Sequence, residues 1–67
     1  MDLLEARTKR RTTQWDLRKL TGIHQSKISL IENGYVNPSP MEKIKIAKAL
    51  GYKVEDIFPS EEVSHAK

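Results

Sequence analysis

The sequence predicts an all-α domain of five short helices, and three observations predict it. Residues that cap helix N-termini recur with an acidic side chain three positions on: Asp2 with Glu5, Thr13 with Asp16 and Ser39 with Glu42. Gly22, Gly34 and Gly51 stand where the segments so opened should stop. Between caps and stops the apolar residues recur at three- and four-residue spacing, and nowhere do they alternate as a half-buried strand requires.

Each element follows from these signals. In the first helix Asp2 is the cap, Leu3, Ala6 and Leu4 form the apolar side, and the basic run Lys9–Arg11 suits the negative helix end. The second is capped by Thr13, has Leu17, Leu20 and Thr21 as core candidates, and ends at Gly22. The third starts near His24, with Ile23 and Ile28 placed as a hydrophobic staple, and ends at Gly34. After the loop "YVNPSP", Ser39 caps the fourth helix with Pro40 at its first position. Its expected core face is Ile44, Ala47 and Leu50, and Gly51 stops it. "VEDIFP" reads as one short fifth turn. Residues 1–59 are thus expected to be one domain, and the polar residues 60–67 a mobile tail.

Size and charge narrow the function. With 67 residues and no cysteine, stability must come from helix packing or from a partner subunit. The cysteine-free composition suits a cytoplasmic protein, no targeting segment is legible, and no apolar run approaches the roughly 18 residues of a membrane span. The net charge is +3 and the isoelectric point about 9.4. That charge is uneven: residues 1–27 carry +4 and residues 28–67 carry −1. A basic half beside a near-neutral one suggests a polyanionic partner, and an ordinary solvated surface is the alternative. No paired carboxylates, nucleophile with a base, metal-ligand cluster or phosphate loop is present, so neither enzyme activity nor a metal or cofactor is expected.

Two helices joined by "TGIH" have the spacing of a helix-turn-helix, because so short a turn makes them cross steeply. Leu17 and Leu20 should then meet Ile28 and Ile31, with Ile23 in the corner. Taking roughly 100° per residue, Ser26, Asn33, Leu30 and Ser29 fall within about 50° of the direction opposite this core. Gln25 and Lys27 lie on the two shoulders, and Glu32 at the core edge. The outward face is small, hydrogen-bonding and uncharged. Base edges are read by amides, hydroxyls and apolar contact with thymine methyls, whereas phosphates ask for charge, so this face fits the major groove.

At this point the chain resembles the phage-repressor and Cro-like helix-turn-helix proteins, the Xre family. "TQWDLRKLTGI", "QSKISLIENG", "NPS", "KIAKALG" and "VEDIF" stand in that family's order and spacing across nearly the whole chain. The resemblance implies a compact five-helix, lambda-repressor-like DNA-binding domain that regulates transcription. It implies base contacts from Gln25, Ser26, Ser29 and Leu30. It implies that Gln14 bonds a phosphate and braces Gln25, that Asn33 and the following loop touch phosphate, and that Arg7 and Glu32 form a structural ion pair.

The chain departs from the family pattern at Arg11 (often glycine), Thr12 (usually apolar), Arg18 (often small), His24 (usually Ser or Thr) and Lys53 (usually Ser or Asp). His24 is either a phosphate contact or simply a helix start. Lys27 is expected to meet a phosphate strand. Trp15 either braces the DNA backbone or packs against the end of the first helix, and Arg10 and Arg11 are either phosphate-bound or solvated. One short reading helix calls for a homodimer on a two-fold symmetric double-stranded operator, with Val54, Ile57 and Phe58 as candidate dimer contacts or, alternatively, core closure. The resulting expectation is a sequence-specific transcription regulator, a repressor. The alternative is an antitoxin or other protein-interaction module on the same fold.

Overall fold

The computed structural model describes residues 1–59. Five helices follow in order: α1 (Leu3–Lys9), α2 (Gln14–Thr21), α3 (Gln25–Glu32), α4 (Pro40–Leu50) and α5 (Val54–Ile57). No strand occurs among the described residues. None of the helices is long and apolar enough to cross a membrane. The expected tail at residues 60–67 lies outside the described residues.

The predicted caps form. The Asp2 carboxylate accepts from the Glu5 N–H at 2.8 Å. Thr13 and Asp16 close a reciprocal box on α2, and Ser39 and Glu42 do the same on α4. At α5 only half a box exists: Asp56 accepts from the Lys53 N–H at 3.0 Å, but an ammonium has no lone pair to return the bond. The C-terminal ends of α1 and α3 share one hydrogen-bond pattern. The N–H of Tyr35 reaches back to the Leu30 carbonyl and that of Gly34 to Ile31, with Gly34 at φ 80°. The N–H of Thr12 reaches Arg7 and that of Arg11 reaches Thr8, with Arg11 at φ 53°. Arg11 therefore holds, with a side chain, the left-handed conformation that normally favours glycine.

The core is built from Leu3, Ala6, Leu17, Ile23, Ile28, Ile31, Ile46, Ala47, Leu50 and Ile57. Helix α2 packs on α3 and α4, α1 closes over α3, and α5 closes over α4. Leu17, Ile28 and Ile46 are fully buried, so truncating any one to alanine should cost about 2–5 kcal/mol. Thr21 is buried with both hydrogen-bonding functions used. Its hydroxyl donates to the Leu17 carbonyl at 2.7 Å and accepts from the Ile23 N–H at 3.1 Å, which locks the turn between α2 and α3.

Three core expectations are corrected. Leu20 is 62% exposed and Ile44 51% exposed, while Ile46 takes the core position on α4. On α2 the buried line runs through Leu17 and Thr21, which leaves Leu20 on the flank. On α4 the buried arc runs from Ile46 through Leu50 to Ala47, and Ile44 lies about 110° from its centre, toward solvent. Leu4 is also exposed, leaving Leu3 and Ala6 as the buried side of α1. Ile57 is buried at 3% exposure and closes the monomer core, so it leaves the set of candidate dimer contacts. Val54 and Phe58 pack partly buried against the same cluster.

Candidate nucleic-acid interface

Burial of Ile28 and Ile31 fixes the rotation of α3 and turns the opposite face outward. Ser26 and Asn33 are exposed, Leu30 is 42% exposed, and Gln25 and Ser29 are half-buried. The first turn carries no acid and the last turn no base. The outward residues Ser26, Ser29, Leu30 and Asn33 form an uncharged strip of amide, hydroxyl and one leucine, and the two charges of the helix, Lys27 and Glu32, pair with other elements beside it.

His24 opens the helix as its cap. Nδ1 lies 3.1 Å from the Ser26 N–H and 2.8 Å from the Ser26 hydroxyl. Accepting the backbone N–H requires an unprotonated Nδ1, so the neutral ring carries its proton on Nε2. An imidazole nitrogen here does the work that a serine or threonine oxygen does in most caps.

Behind the face runs a chain of four polar side chains. Arg7 donates Nε to Glu32 Oε2 at 2.7 Å and Nη2 to Oε1 at 3.2 Å, while Nη1 bonds the Thr12 carbonyl at 3.0 Å. Glu32 Oε1 also accepts from Gln14 Nε2 at 2.9 Å. Gln14 Oε1 in turn accepts from Gln25 Nε2 at 2.7 Å. The first residues of α2 and α3 are thereby tied to each other and to the ion pair joining α1 to α3. The Arg7–Glu32 pair and the Gln14–Gln25 brace both form in the free protein, and each amide nitrogen keeps one N–H for a further acceptor.

Lys27 has a partner within the protein. Its ammonium bonds Glu42 Oε2 at 2.7 Å, tying α3 to the start of α4. That hydrogen bond, followed by the one from the Ser39 N–H, lowers the Glu42 carboxyl below its ordinary range. In the free protein the cation is thus already paired, and sequence spacing could not show the pairing because the partners lie 15 residues apart. Asp16 is lowered too, first by the Thr13 N–H and then by the Thr13 hydroxyl.

Other side chains also find partners within the protein. Trp15 is 56% exposed, with the Arg18 guanidinium 5.2 Å from its ring centroid. Arg10 lies 4.3 Å over the Tyr52 ring. Asn33 donates one amide N–H to the Ser29 carbonyl at 2.9 Å and retains the other. Among the described residues no group of three or more His, Cys, Asp or Glu is gathered where a metal could be held.

Comparison with known proteins agrees with this geometry. The Helix-turn-helix family model matches residues 3–57. An uncharacterised HTH-type transcriptional regulator of Methanocaldococcus jannaschii is 48% identical over 46 residues, covering 69% of this chain and 70% of that protein. An uncharacterised HTH-type transcriptional regulator of Archaeoglobus fulgidus is 41% identical over 54 residues, covering 81% and 76%. A further protein of that description from Archaeoglobus fulgidus is 37% identical over 54 residues, covering 81% and 77%. No solved structure matches.

Proposed function

Because the chain belongs to the Helix-turn-helix family, of the phage-repressor and Cro-like type, we propose that it represses transcription by reading a specific double-stranded operator with α3. DNA binding and transcription regulation come with that membership. The single observation that carries the finer reading is the outward face of α3: uncharged, hydrogen-bonding, and preceded by an amide already braced from α2.

In this reading α3 enters the major groove, which is about 12 Å wide and admits one helix. Gln25, Ser26, Ser29 and Leu30 meet base edges, with Leu30 against a thymine methyl. Gln14, Asn33 and His24 meet phosphates through the N–H groups their internal bonds leave over. Lys27 drops out of that set while it is held by Glu42. Repression then needs only occupancy of a promoter site. An eight-residue helix covers few base pairs, so two copies on a two-fold symmetric site supply the specificity. Val54 and Phe58 are the remaining candidate dimer contacts.

The test is selection of bound duplexes from a random pool. The expected product is a palindrome with half-site centres roughly 34–36 Å apart, one turn of B-DNA. A pool in which nothing is enriched overturns the reading.

One observation favours the interaction-module alternative. Leu20 on α2 and Met41 and Ile44 on α4 are large exposed apolar side chains that the reading of DNA by α3 does not use. If the pool enriches nothing and the chain is recovered from native extract bound to another protein, that alternative takes the lead.

A further inference from the structure

The chain of polar side chains behind α3 has a direction as well as a strength. An ionised carboxylate can only accept hydrogen bonds. Glu32 Oε1, 2.9 Å from Gln14, must therefore face the Gln14 nitrogen and not its oxygen. This turns Gln14 Oε1 toward Gln25. Two amide oxygens cannot meet at 2.7 Å, so Gln25 must present its nitrogen there. Two amides are thus oriented in succession by one negative charge. Arg7 holds that charge in place from the other side with two bonds to the same carboxylate. What Gln25 has left for an outside partner is its carbonyl oxygen and one N–H.

We infer that Glu32, whose side chain is only 7% exposed, is a specificity-determining residue: it sets the polarity of the Gln25 amide through Gln14 and so selects adenine over guanine. The inference rests on the proposal that α3 reads the major groove. Adenine offers N6–H as donor and N7 as acceptor, the complement of a free oxygen and a free N–H. Guanine offers two acceptors, O6 and N7. A Gln25 amide held in the observed sense would set its oxygen against guanine O6. Accepting guanine would require both N–H groups of Gln25 to turn to O6 and N7, which would take the nitrogen away from Gln14 Oε1. Glu32 never touches DNA in this scheme; it is a positioning residue acting at two removes.

The discriminating variant is Gln14→Met, which breaks the relay but leaves the Arg7–Glu32 pair intact. Wild-type protein should prefer adenine to guanine at the Gln25 position by roughly 5- to 150-fold, the range of a good bidentate pair. Gln14→Met should weaken both sites by a common factor, because its phosphate contact is lost, and beyond that common loss the adenine-to-guanine ratio should fall several-fold. Glu32→Gln, whose amide can either donate or accept, should broaden the preference in the same way. A variant that weakens both sites by one common factor, leaving the ratio unchanged, overturns the inference, as does a wild-type preference for guanine.

A second measurement needs no DNA and so separates this inference from the reading it rests on. In the free wild-type protein, side-chain amide resonances of Gln14 and Gln25 should each show one proton shifted and slowed in exchange by its hydrogen bond. In Gln14→Met the Gln25 pair should revert to ordinary values. Gln25 signals unaltered by that substitution overturn the relay even if the operator is found. A wild-type pool that enriches nothing overturns the DNA reading, and the resonances still decide the relay.

Discussion

Helix α3 is held on its two flanks by ion pairs of the same length and very different character. On the α1 side Arg7 meets Glu32, and on the α4 side Lys27 meets Glu42, each at 2.7 Å. The side chains of the first pair are 15% and 7% exposed, those of the second 43% and 21%. Arg7 uses the planar fork of a guanidinium, with two bonds to one carboxylate and a third to the Thr12 carbonyl. Lys27 contributes a single point contact on a flexible stem. Distance alone would rank the two as equals. Burial and the number of satisfied hydrogen bonds separate them: the α1 flank is structural and orients Gln14 and Gln25, whereas the α4 flank is a surface clasp.

The largest expected effect tests that ranking directly. Glu32→Ala leaves a mostly buried guanidinium without its anion, and breaking such a pair from one side costs about 3–5 kcal/mol. A domain of this size has little more stability than that to lose, so the variant should be largely unfolded at room temperature. A denaturant midpoint close to that of Lys27→Ala would erase the distinction between the flanks.

Next in size is a gain on the same flank. The α1 end that delivers the Thr12 carbonyl to Arg7 passes through Arg11 at φ 53°. A left-handed residue with a side chain costs roughly 1–2 kcal/mol, and glycine returns part of the saving as unfolded-chain entropy. Arg11→Gly should therefore raise stability by about 0.5–1 kcal/mol, read as a higher thermal midpoint. A lower midpoint would mean that the Arg11 side chain supports the flank by contacts that outweigh its backbone strain.

The contrast between the flanks also marks how far the sequence could be read. Caps and stops are local, so all five helices were legible from residues three or four apart. Glu32 fell at the core edge by angle, and resemblance paired it with Arg7. The Gln14–Glu32 bond and the Lys27–Glu42 pair span 18 and 15 residues and depend on how helices cross, which no local pattern encodes. The same limit explains Leu20 and Ile44. In helices of 8 and 11 residues two apolar phases fit equally well, and only packing against neighbouring helices chose Thr21 over Leu20 and Ile46 over Ile44. Arg11 was legible only as a departure from a glycine pattern, and its positive φ gives that departure a physical meaning.

On the α4 flank the expected effects are smaller and sensitive to salt. Lys27→Ala should lower stability by a small fraction of the Glu32→Ala loss, and by less still in high salt. If α3 reads DNA, the same substitution should barely change the salt dependence of binding, because the cation is already paired. Glu42→Gln should do the opposite. It frees Lys27 to meet a phosphate and should steepen the slope of log K against log salt by about 0.9. Measuring binding of both variants from low to moderate salt checks this. A shallower slope for Lys27→Ala with no change for Glu42→Gln would mean that DNA takes Lys27 away from Glu42.

The smallest effect is the response to acid, and it divides the α4 flank from a site with no partner cation across a helix boundary. Glu42 and Asp16 both have folded carboxyl values below their ordinary range near about 4. Between the depressed folded value and the unfolded one, the unfolded chain binds more protons, so stability rises with pH through that window. Each contribution is complete above about pH 5 and is lost as pH falls through the folded value. Glu42→Gln and Asp16→Asn should therefore be less stable than wild type at pH 7 and approach it in acid melts as the folded carboxyls take up their protons. The causes differ, however. The leading cause at Glu42 is the Lys27 hydrogen bond, an ionic one, while at Asp16 it is the Thr13 backbone N–H. Added salt screens charge but hardly touches a bond to a neutral amide. The pH-dependent gap for Glu42→Gln should accordingly narrow in molar salt while that for Asp16→Asn persists. If both gaps narrow together, Asp16 owes its shift chiefly to nearby Lys19, and the local cap is no less ionic than the clasp between α3 and α4.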